Sequence, residues 1–181
     1  MTMTTISRTH THPEEMSQDF RDAFRAHPAG VAIVTADPGT GPVGLTATSV
    51  SSVSADPPTI ALNLSALSRS AEKIRSAEHV VVHLLAREQL HLAQLFATPG
   101  ADRFGDASLW DRLPSGEPYL LNSRVWLRGK IVGSIDINGS TLAAIELVET
   151  HVDTSVDSAP LVYCSRTWHE LSDTSSVPTS P

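Results

Sequence analysis

The sequence predicts a mainly β protein, in which an antiparallel sheet closes into a barrel and carries a few peripheral helices. Segments of strand character outnumber segments of helical character. Most strand segments are joined through turn sequences rather than through crossover helices. One turn, at Asn138 and Gly139, separates two long alternating segments, and Asn-Gly is the strongest short hairpin signal.

The first half of the chain predicts one helix followed by strands. Pro13, Glu14 and Glu15 predict a helix start, because proline suits the first helical position and carboxylates favour the positive end of the helix dipole. The sequence HPAG, from His27 to Gly30, ends this helix. Strands are then expected at 31–36, 44–55 and 59–64, with a Pro/Gly turn after the first and an Asp-Pro-Pro break after the second.

The second half predicts two more helices before the long hairpin. Ser68 or Ser70 is suited to cap a short helix, because serine accepts hydrogen bonds at helix N-termini. The remaining expectations are a buried strand at 79–85, a helix at 87–97, a loop at 98–118, long strands at 124–137 and 141–152, and a short strand at 160–164.

The length of 181 residues predicts one domain, which we place at residues 13–171. Residues 1–12 and 172–181 are rich in Ser, Thr and Pro and poor in large apolar residues. Such segments cannot bury enough surface to offset the loss of chain entropy. We therefore expect both ends to be disordered tails.

Charge and composition exclude several classes of partner. The chain has 13 basic and 20 acidic residues, a net charge of -7 and no Lys/Arg-rich run, which argues against binding to nucleic acids or anionic membranes. No apolar run approaches the roughly 20 residues of a membrane helix. Cys164, as the single cysteine, cannot form an intramolecular disulfide, and the N-terminus does not resemble a signal peptide. We expect a cytoplasmic protein whose partners are small molecules or proteins.

Metal binding is not expected from the histidines. His79 and His83 flank an apolar strand segment, where four residues of strand rise separate them by about 13 Å. This distance prevents them from sharing a metal ion. His91 and His151 lack a nearby carboxylate or cysteine cluster with metal-ligand spacing.

The sequence GLTATSVSSVSADPP, from Gly44 to Pro58, has hydroxyl side chains on both faces of its predicted strand. A half-buried strand alternates apolar and polar residues, and a fully buried strand is almost wholly apolar. This segment does neither. Composition alone leaves open whether it is a polar edge strand that faces solvent or a strand that faces a ligand.

Four motifs, in order, resemble the flavin reductase-like family over about residues 20–171. They are GLTATSVSSVSADPPTIALNLS, SRSAEKIRSAEHVVVHLLAREQLHLAQLFA, DRF and APLVYCSRTWHEL. The resemblance implies an FMN-binding split β-barrel that pairs into homodimers. It also implies an enzyme that uses NADH or NADPH to reduce FMN or FAD and commonly releases the reduced flavin to a separate monooxygenase.

The resemblance also implies a set of cofactor contacts. In this family the hydroxyl-rich strand lies against the flavin ring and ribityl chain, and a serine-rich segment after the next strand binds the phosphate. The matching positions are Thr46, Ala47, Thr48, Ser49, and Ser51 or Ser52 for the strand, and Asn63, Ser65, Ser68 and Ser70 for the phosphate segment.

Each of these contacts has an ordinary structural alternative. Any one of the serines is also suited to be a simple helix cap. Arg103 in DRF is suited either to bind the phosphate or to form a surface salt bridge, and Phe104 either packs beside the cofactor or in the core. No residue is expected to act as a catalytic acid or base, because the flavin carries the chemistry.

The nicotinamide side departs from the family pattern. Many members carry Gly-Asp-His where this sequence has Asn138, Gly139 and Ser140, and that histidine meets the nicotinamide. Serine donates a hydrogen bond but neither stacks on nicotinamide nor carries a positive charge. Tyr163 and Trp168 are aromatic candidates for this role, although both are also suited to the core or a dimer interface.

Two alternatives to a flavin reductase follow. The serine at position 140 is compatible with a flavin-binding or electron-carrying protein that does not oxidise nicotinamide productively. Split barrels also include deazaflavin-dependent reductases and pyridoxamine-phosphate oxidases. The hydroxyl-rich strand matches the flavin reductases best.

Overall fold

The computed structural model describes residues 9–65, 67–155 and 157–177. Its helices are α1 (Pro13–Ala26), α2 (Arg69–Arg75) and α3 (Leu90–Ala97), with short 3-10 helices at Arg87–Gln89 and Asp173–Ser175. Its strands are β1 (Ala29–Gly30), β2 (Ala32–Ala36), β3 (Val43–Ala47), β4 (Ser51–Ala55), β5 (Pro58–Ser65), β6 (His79–Leu84), β7 (Trp110–Arg112), β8 (Pro118–Leu120), β9 (Val125–Ile137), β10 (Ser140–Val152), β11 (Leu161–Cys164) and β12 (Thr167–Glu170). In this part of the chain, no helix is long and apolar enough to cross a membrane.

Seven strands form one sheet in the order β3-β2-β6-β9-β10-β5-β4, and all neighbours run antiparallel. Two small antiparallel sheets accompany it, β1-β11-β12 and β7-β8. The predicted mainly β, antiparallel architecture with peripheral helices is confirmed. At the β9–β10 turn, Asn138 and Gly139 both have positive φ angles, of 46° and 81°, as the predicted tight hairpin requires.

The two edge strands of the main sheet, β3 and β4, follow each other in the chain and are joined by residues 48–50. We call the gap between these two edges the seam. The hydroxyl-rich segment is therefore two strands at opposite edges of the sheet, and its prediction as one continuous strand was wrong. Helix α2 packs against β3 at one edge of the seam and against β5, the strand next to β4, on the other side.

Two clusters of buried side chains hold the sheet. The first fills the barrel interior and includes Val34, Leu62 and Ile145, with Ile74 from α2 packed against them. The second lies outside β2, where Ile33 packs with Phe96 of α3. Strand β2 is buried on both faces, which explains why its five residues all lack solvent contact.

His83 is a buried structural residue of β6. Its Nδ1 lies 3.1 Å from the Ile33 carbonyl oxygen, and the Leu120 amide donates to its Nε2 at 3.0 Å. The ring is therefore neutral, with its proton on Nδ1. Burial lowers the pKa of His83 to about 4, although the hydrogen bond to Ile33 opposes that change. Among the described residues, no group of three or more possible metal ligands comes together.

The structure differs from the sequence-based expectations at short elements. The segment predicted as a loop, residues 98–118, contains β7, and β12 follows the strand predicted to be the last. Three- or four-residue strands are too short for a periodic pattern to indicate them. Of the predicted disordered ends, residues 1–8 and 178–181 lie outside the described residues.

Candidate functional site

A cavity of about 900 Å³ lies beside the seam. Its walls come from the end of β3, the start of the link to β4, the end of β5, the start of α2 and the end of α3. We call it the serine cavity. Nine of the twelve predicted cofactor contacts line it: Thr46, Ala47, Thr48, Ser49, Asn63, Ser65, Ser68, Ser70 and Arg103.

The other three predicted contacts lie elsewhere. Ser51 lines an adjoining cavity, and Ser52 is exposed on β4. Phe104 packs edge-on against Phe96 and Trp110, at centroid distances of 5.4 and 5.0 Å, and its carbonyl accepts a hydrogen bond from the Trp110 indole. Phe104 is half-buried and lines a separate small cavity with Arg69, Ser70 and Arg103 rather than the serine cavity.

Several hydroxyls of the serine cavity already have structural partners. Thr46 donates to the Ala93 carbonyl of α3 at 2.7 Å, and the Ser68 hydroxyl accepts from the Ala71 amide as the N-cap of α2. By contrast, Thr48 and Ser70 make no side-chain hydrogen bond to the described residues, and both line the serine cavity. These two hydroxyls are therefore available to a ligand.

Ser49 connects the link between β3 and β4 to strand β5. Its hydroxyl donates to the Asn63 carbonyl at 3.0 Å and accepts from the Asn63 amide at 3.3 Å. This side chain thereby occupies the backbone groups that a neighbouring strand would otherwise bind. Serine can make both bonds because one hydroxyl both donates and accepts.

Two guanidinium groups line the serine cavity. Arg103 donates through Nε to the Phe96 carbonyl at 3.0 Å and through Nη2 to the Thr98 carbonyl at 2.8 Å, so carbonyls at the end of α3 fix its position. Arg69, at the start of α2, also lines the cavity. Neither arginine forms a salt bridge with a described residue. Arg69 was not predicted from the sequence, although its position between Ser68 and Ser70 was the available signal.

A second cavity of about 870 Å³ adjoins the first and shares Thr48, Ser49 and Asn63 with it. One wall belongs to α1 and the residues that follow it, and Tyr163 of β11 lines it as well. We call it the α1 cavity. The sequence did not predict a role for α1 here, because the contact joins segments more than a hundred residues apart and local spacing contains no signal for it.

The three residues predicted for the nicotinamide side are dispersed. Tyr163 lines the α1 cavity, and Trp168 packs on Tyr163 at a centroid distance of 4.6 Å without lining that cavity. Ser140 pairs with Ser65 across β10 and β5 and lines neither cavity. Of these three residues, only Tyr163 lines either cavity in a single chain.

The serine cavity suits a ligand with a flat polar ring and a phosphate. Its volume is within the usual range for small-molecule sites. Ala47 and Ser49 are small enough to allow close approach of a ring to the backbone, and the free hydroxyls of Thr48 and Ser70 supply hydrogen bonds. Arg69 and Arg103 supply the positive charge that a phosphate requires. A flavin mononucleotide has both of these parts.

Comparison with known proteins agrees with this geometry. The family model of the flavin reductase like domain matches residues 24–172. An NADH:FMN oxidoreductase of Rhodococcus erythropolis is 46% identical over 147 residues, which cover 80% of this chain and 77% of that protein. The reductase component of a 4-nitrophenol 4-monooxygenase/4-nitrocatechol 2-monooxygenase of Rhodococcus opacus is 31% identical over 136 residues, or 75% of this chain and 72% of that protein.

A solved structure has the same fold. The crystal structure of a flavin reductase domain protein from Arthrobacter sp. FB24 superposes with a TM-score of 0.81 at 34% identity. The match covers 91% of this chain and 98% of the Arthrobacter protein. The split-barrel architecture implied by the four sequence motifs is thus confirmed.

Proposed function

Because the chain belongs to the flavin reductase-like domain family, we propose that the serine cavity is the flavin site of an NAD(P)H:flavin oxidoreductase. The family and the reductase activity expected from the four motifs are confirmed by the matches to the family model and to the Rhodococcus NADH:FMN oxidoreductase. That relative makes FMN and NADH the first pair to test. FAD and NADPH are the alternatives within the same reaction.

The convergence of nine predicted contacts on one cavity is the observation that supports this site. The Thr48 and Ser70 hydroxyls would bind the polar parts of the flavin, while Arg69 and Arg103 would hold its phosphate. When bound, the flavin supplies the chemistry by accepting a hydride from the reduced nicotinamide. The protein's own contribution is to orient the ring beside the α1 cavity, where Thr48, Ser49 and Asn63 form the shared wall.

The exposure of the serine cavity supports flavin as a released product. Thr48, Ser49, Asn63 and Ser65 are exposed although they line the cavity. A ligand held there stays in contact with solvent and can dissociate without a large rearrangement. A partner monooxygenase would receive the reduced flavin, as the name of the Rhodococcus opacus relative indicates for that protein.

Exposed apolar side chains on one face of the sheet support a homodimer. Asn63, Leu142 and Ile135 are directly opposite one another across β5, β10 and β9, so their side chains share one face. Leu142 is 41% exposed and Ile135 is 61% exposed. Ser65, Ser140 and Ile137 form the next row on the same face. A second copy placed here would cover the apolar side chains and lie beside the serine cavity.

The activity test is oxidation of NADH and of NADPH by the purified protein, with FMN or FAD added in excess in air. We expect turnover that rises and saturates with added flavin. Absence of turnover, with flavin binding still visible by fluorescence quenching, would contradict the reductase reaction and leave a flavin-binding protein.

The dimer test is the molar mass in solution of Leu142→Arg, measured by light scattering after size-exclusion chromatography. We expect the wild type to be a dimer and Leu142→Arg to be a monomer, because a charge in an apolar interface loses its solvation. Thr150→Arg, at an exposed position near the other end of β10, is the matched control and should remain a dimer. A monomeric wild type would contradict this assembly.

A further inference from the structure

Helix α1 does not contribute to the protein core. None of its residues is buried, and Phe20 and Phe24 are each 61% exposed. Their rings nevertheless pack together at a centroid distance of 4.5 Å, and the His27 ring lies edge-on to Phe24 at 6.0 Å. Exposed aromatic rings of this kind are typical of a surface that binds a ligand or another protein.

This aromatic surface is one wall of the α1 cavity. Phe20, Phe24 and His27 line it, and Tyr163 lines it from β11. The cavity shares Thr48, Ser49 and Asn63 with the serine cavity, so ligands in the two cavities would lie next to each other. The α1 cavity is therefore placed to hold a molecule that reacts with the contents of the serine cavity.

The charge of the α1 cavity is opposite to that of the whole chain. Arg21, Arg25 and Arg166 line it, and no carboxylate does so among the described residues. Arg25 is paired with Asp22 at 3.0 Å, while Arg21 and Arg166 form no salt bridge with a described residue. In a chain of net charge -7, this local positive charge favours an anionic ligand.

We infer that the α1 cavity binds the dinucleotide electron donor, with Phe24 and His27 positioning its nicotinamide ring and Arg21 and Arg166 binding its pyrophosphate. Aromatic rings offer the flat surface that a nicotinamide packs against, and guanidinium groups match phosphate oxygens in geometry and charge. This inference rests on the proposed function, since it assigns the second substrate of the same reaction. It adds no chemical step, because the residues named bind and orient the donor only.

The test compares Phe24→Ala and His27→Ala with the wild type at saturating FMN. We expect the KM for NADH to rise about tenfold in each variant, while the dissociation constant of FMN, from fluorescence quenching, stays within about twofold. Phe24→Trp retains a ring and should keep a KM close to that of the wild type. Met16→Ala, on the same helix but outside the cavity, is the matched control.

Arg166→Ala tests the charged part of the site separately. We expect its KM for NADH to rise about tenfold and to become less sensitive to salt, since a phosphate contact is lost. Lys130→Ala removes an exposed positive charge outside both cavities and should leave this KM and its salt dependence unchanged.

Three results would overturn the inference. The first is an unchanged KM in the α1 variants of a protein that does oxidise NADH. The second is an equal rise in the KM for NADH and the dissociation constant of FMN, which would make α1 part of the flavin site. The third is a change of molar mass in Phe24→Ala without a change of KM, which would assign the aromatic surface to a second copy of the chain.

Direct binding separates this inference from the proposed function. NADH fluorescence is titrated with protein that contains no added flavin. If the wild type binds NADH and Phe24→Ala does not, the donor site is supported even where no turnover is detected. If the wild type neither binds nor oxidises NADH, both the donor site and the reductase reaction are overturned.

Discussion

The hydroxyl of Ser49 makes two hydrogen bonds to one residue, to the carbonyl of Asn63 at 3.0 Å and to its amide at 3.3 Å. Both residues line the serine cavity and the α1 cavity. One side chain thus connects the link between the two sheet edges to the strand that carries the predicted phosphate segment. Its removal should affect ligand binding more than it affects folding.

Ser49→Ala tests this connection. Asn63 is exposed, so water replaces the lost bonds, and we expect the free energy of unfolding to fall by only about 1 kcal/mol. FMN affinity should fall about tenfold, because residues 48–50 lose the contact that fixes them beside the cavity. Urea unfolding and flavin fluorescence quenching measure the two effects. Ser134→Ala, exposed on β9, is the control, and a loss of stability without a loss of affinity would contradict the prediction.

Arg69→Ala tests the phosphate end of the serine cavity. We expect FMN affinity to fall about tenfold, since a charge-assisted hydrogen bond to phosphate is lost. The affinity for riboflavin, which has no phosphate, should not change. Fluorescence quenching by both flavins gives the comparison, with Lys130→Ala as the control. An equal loss for FMN and riboflavin would assign Arg69 a structural role instead.

Gly44→Ala tests the packing behind the same cavity. A β-carbon at this position would lie 2.6 Å from the Phe96 Cε1 atom and 3.0 Å from the Val34 carbonyl oxygen. Phe96 is fully buried and also lines the serine cavity. We expect the free energy of unfolding to fall by about 1 to 3 kcal/mol, together with weaker FMN binding.

Gly133→Ala is the matched control for this substitution. Gly133 lies on β9, where an added β-carbon has no neighbour within 4 Å. Urea denaturation should give nearly the wild-type midpoint. A midpoint for Gly44→Ala as high as that of Gly133→Ala would show that Phe96 moves freely.

Because His83 is buried in its neutral form, we expect the stability of the protein to decrease as the pH falls. Burial lowers its folded-state pKa to about 4 from the ordinary 6.5, so the unfolded chain takes up the proton first as pH falls. Stability is therefore fully present above pH 6.5 and falls as the pH decreases towards 4. The total effect is on the order of 3 kcal/mol.

The measurement is urea unfolding from neutral pH down to about pH 5.5, which lies above the range in which the unfolded-state carboxyl of Glu117, with an ordinary pKa of 4.5 that folding lowers to about 2, takes up its proton. Burial alone would raise the pKa of Glu117, but hydrogen bonds from Arg128 and Ser115 lower it. His83→Gln should be less stable overall and should lose much of the pH dependence, whereas His79→Gln should keep it. An unchanged slope in His83→Gln would contradict the assignment.

The parts of the fold that could be predicted from the sequence are those with local causes. Pro13 marks the first residue of α1, and Asn138 and Gly139 mark the β9–β10 turn, because each restricts the backbone where it stands. The continuous strand predicted over 44–55 failed for the opposite reason. Strand β3 pairs with β2 before it and β4 pairs with β5 after it, and no local pattern within residues 44–55 marks where the chain leaves one sheet edge for the other.

The residues of the candidate site likewise divide into those that local sequence predicted and those that it did not. Nine serine-cavity residues could be predicted because they lie in two continuous sequence segments and one short motif. Phe104 lies apart from these nine residues, because it packs against Phe96 and Trp110 and lines a neighbouring cavity with Arg103. The α1 wall could not be predicted, because the exposed rings of an amphipathic helix indicate a covered face without indicating what covers it.

The seam has a mechanical consequence. Every other pair of neighbouring strands in the main sheet is joined by a ladder of backbone hydrogen bonds, whereas the two sides of the seam are linked by residues 48–50, by the Ser49 hydroxyl on β5 and by helix α2, which packs against β3 and β5. Widening this gap breaks few bonds, so we expect local opening there to be far less costly than unfolding. The barrel can therefore open locally at the seam while its other strand pairs stay intact. In the proposed reaction such an opening would let the reduced flavin leave the serine cavity without disturbing the rest of the sheet.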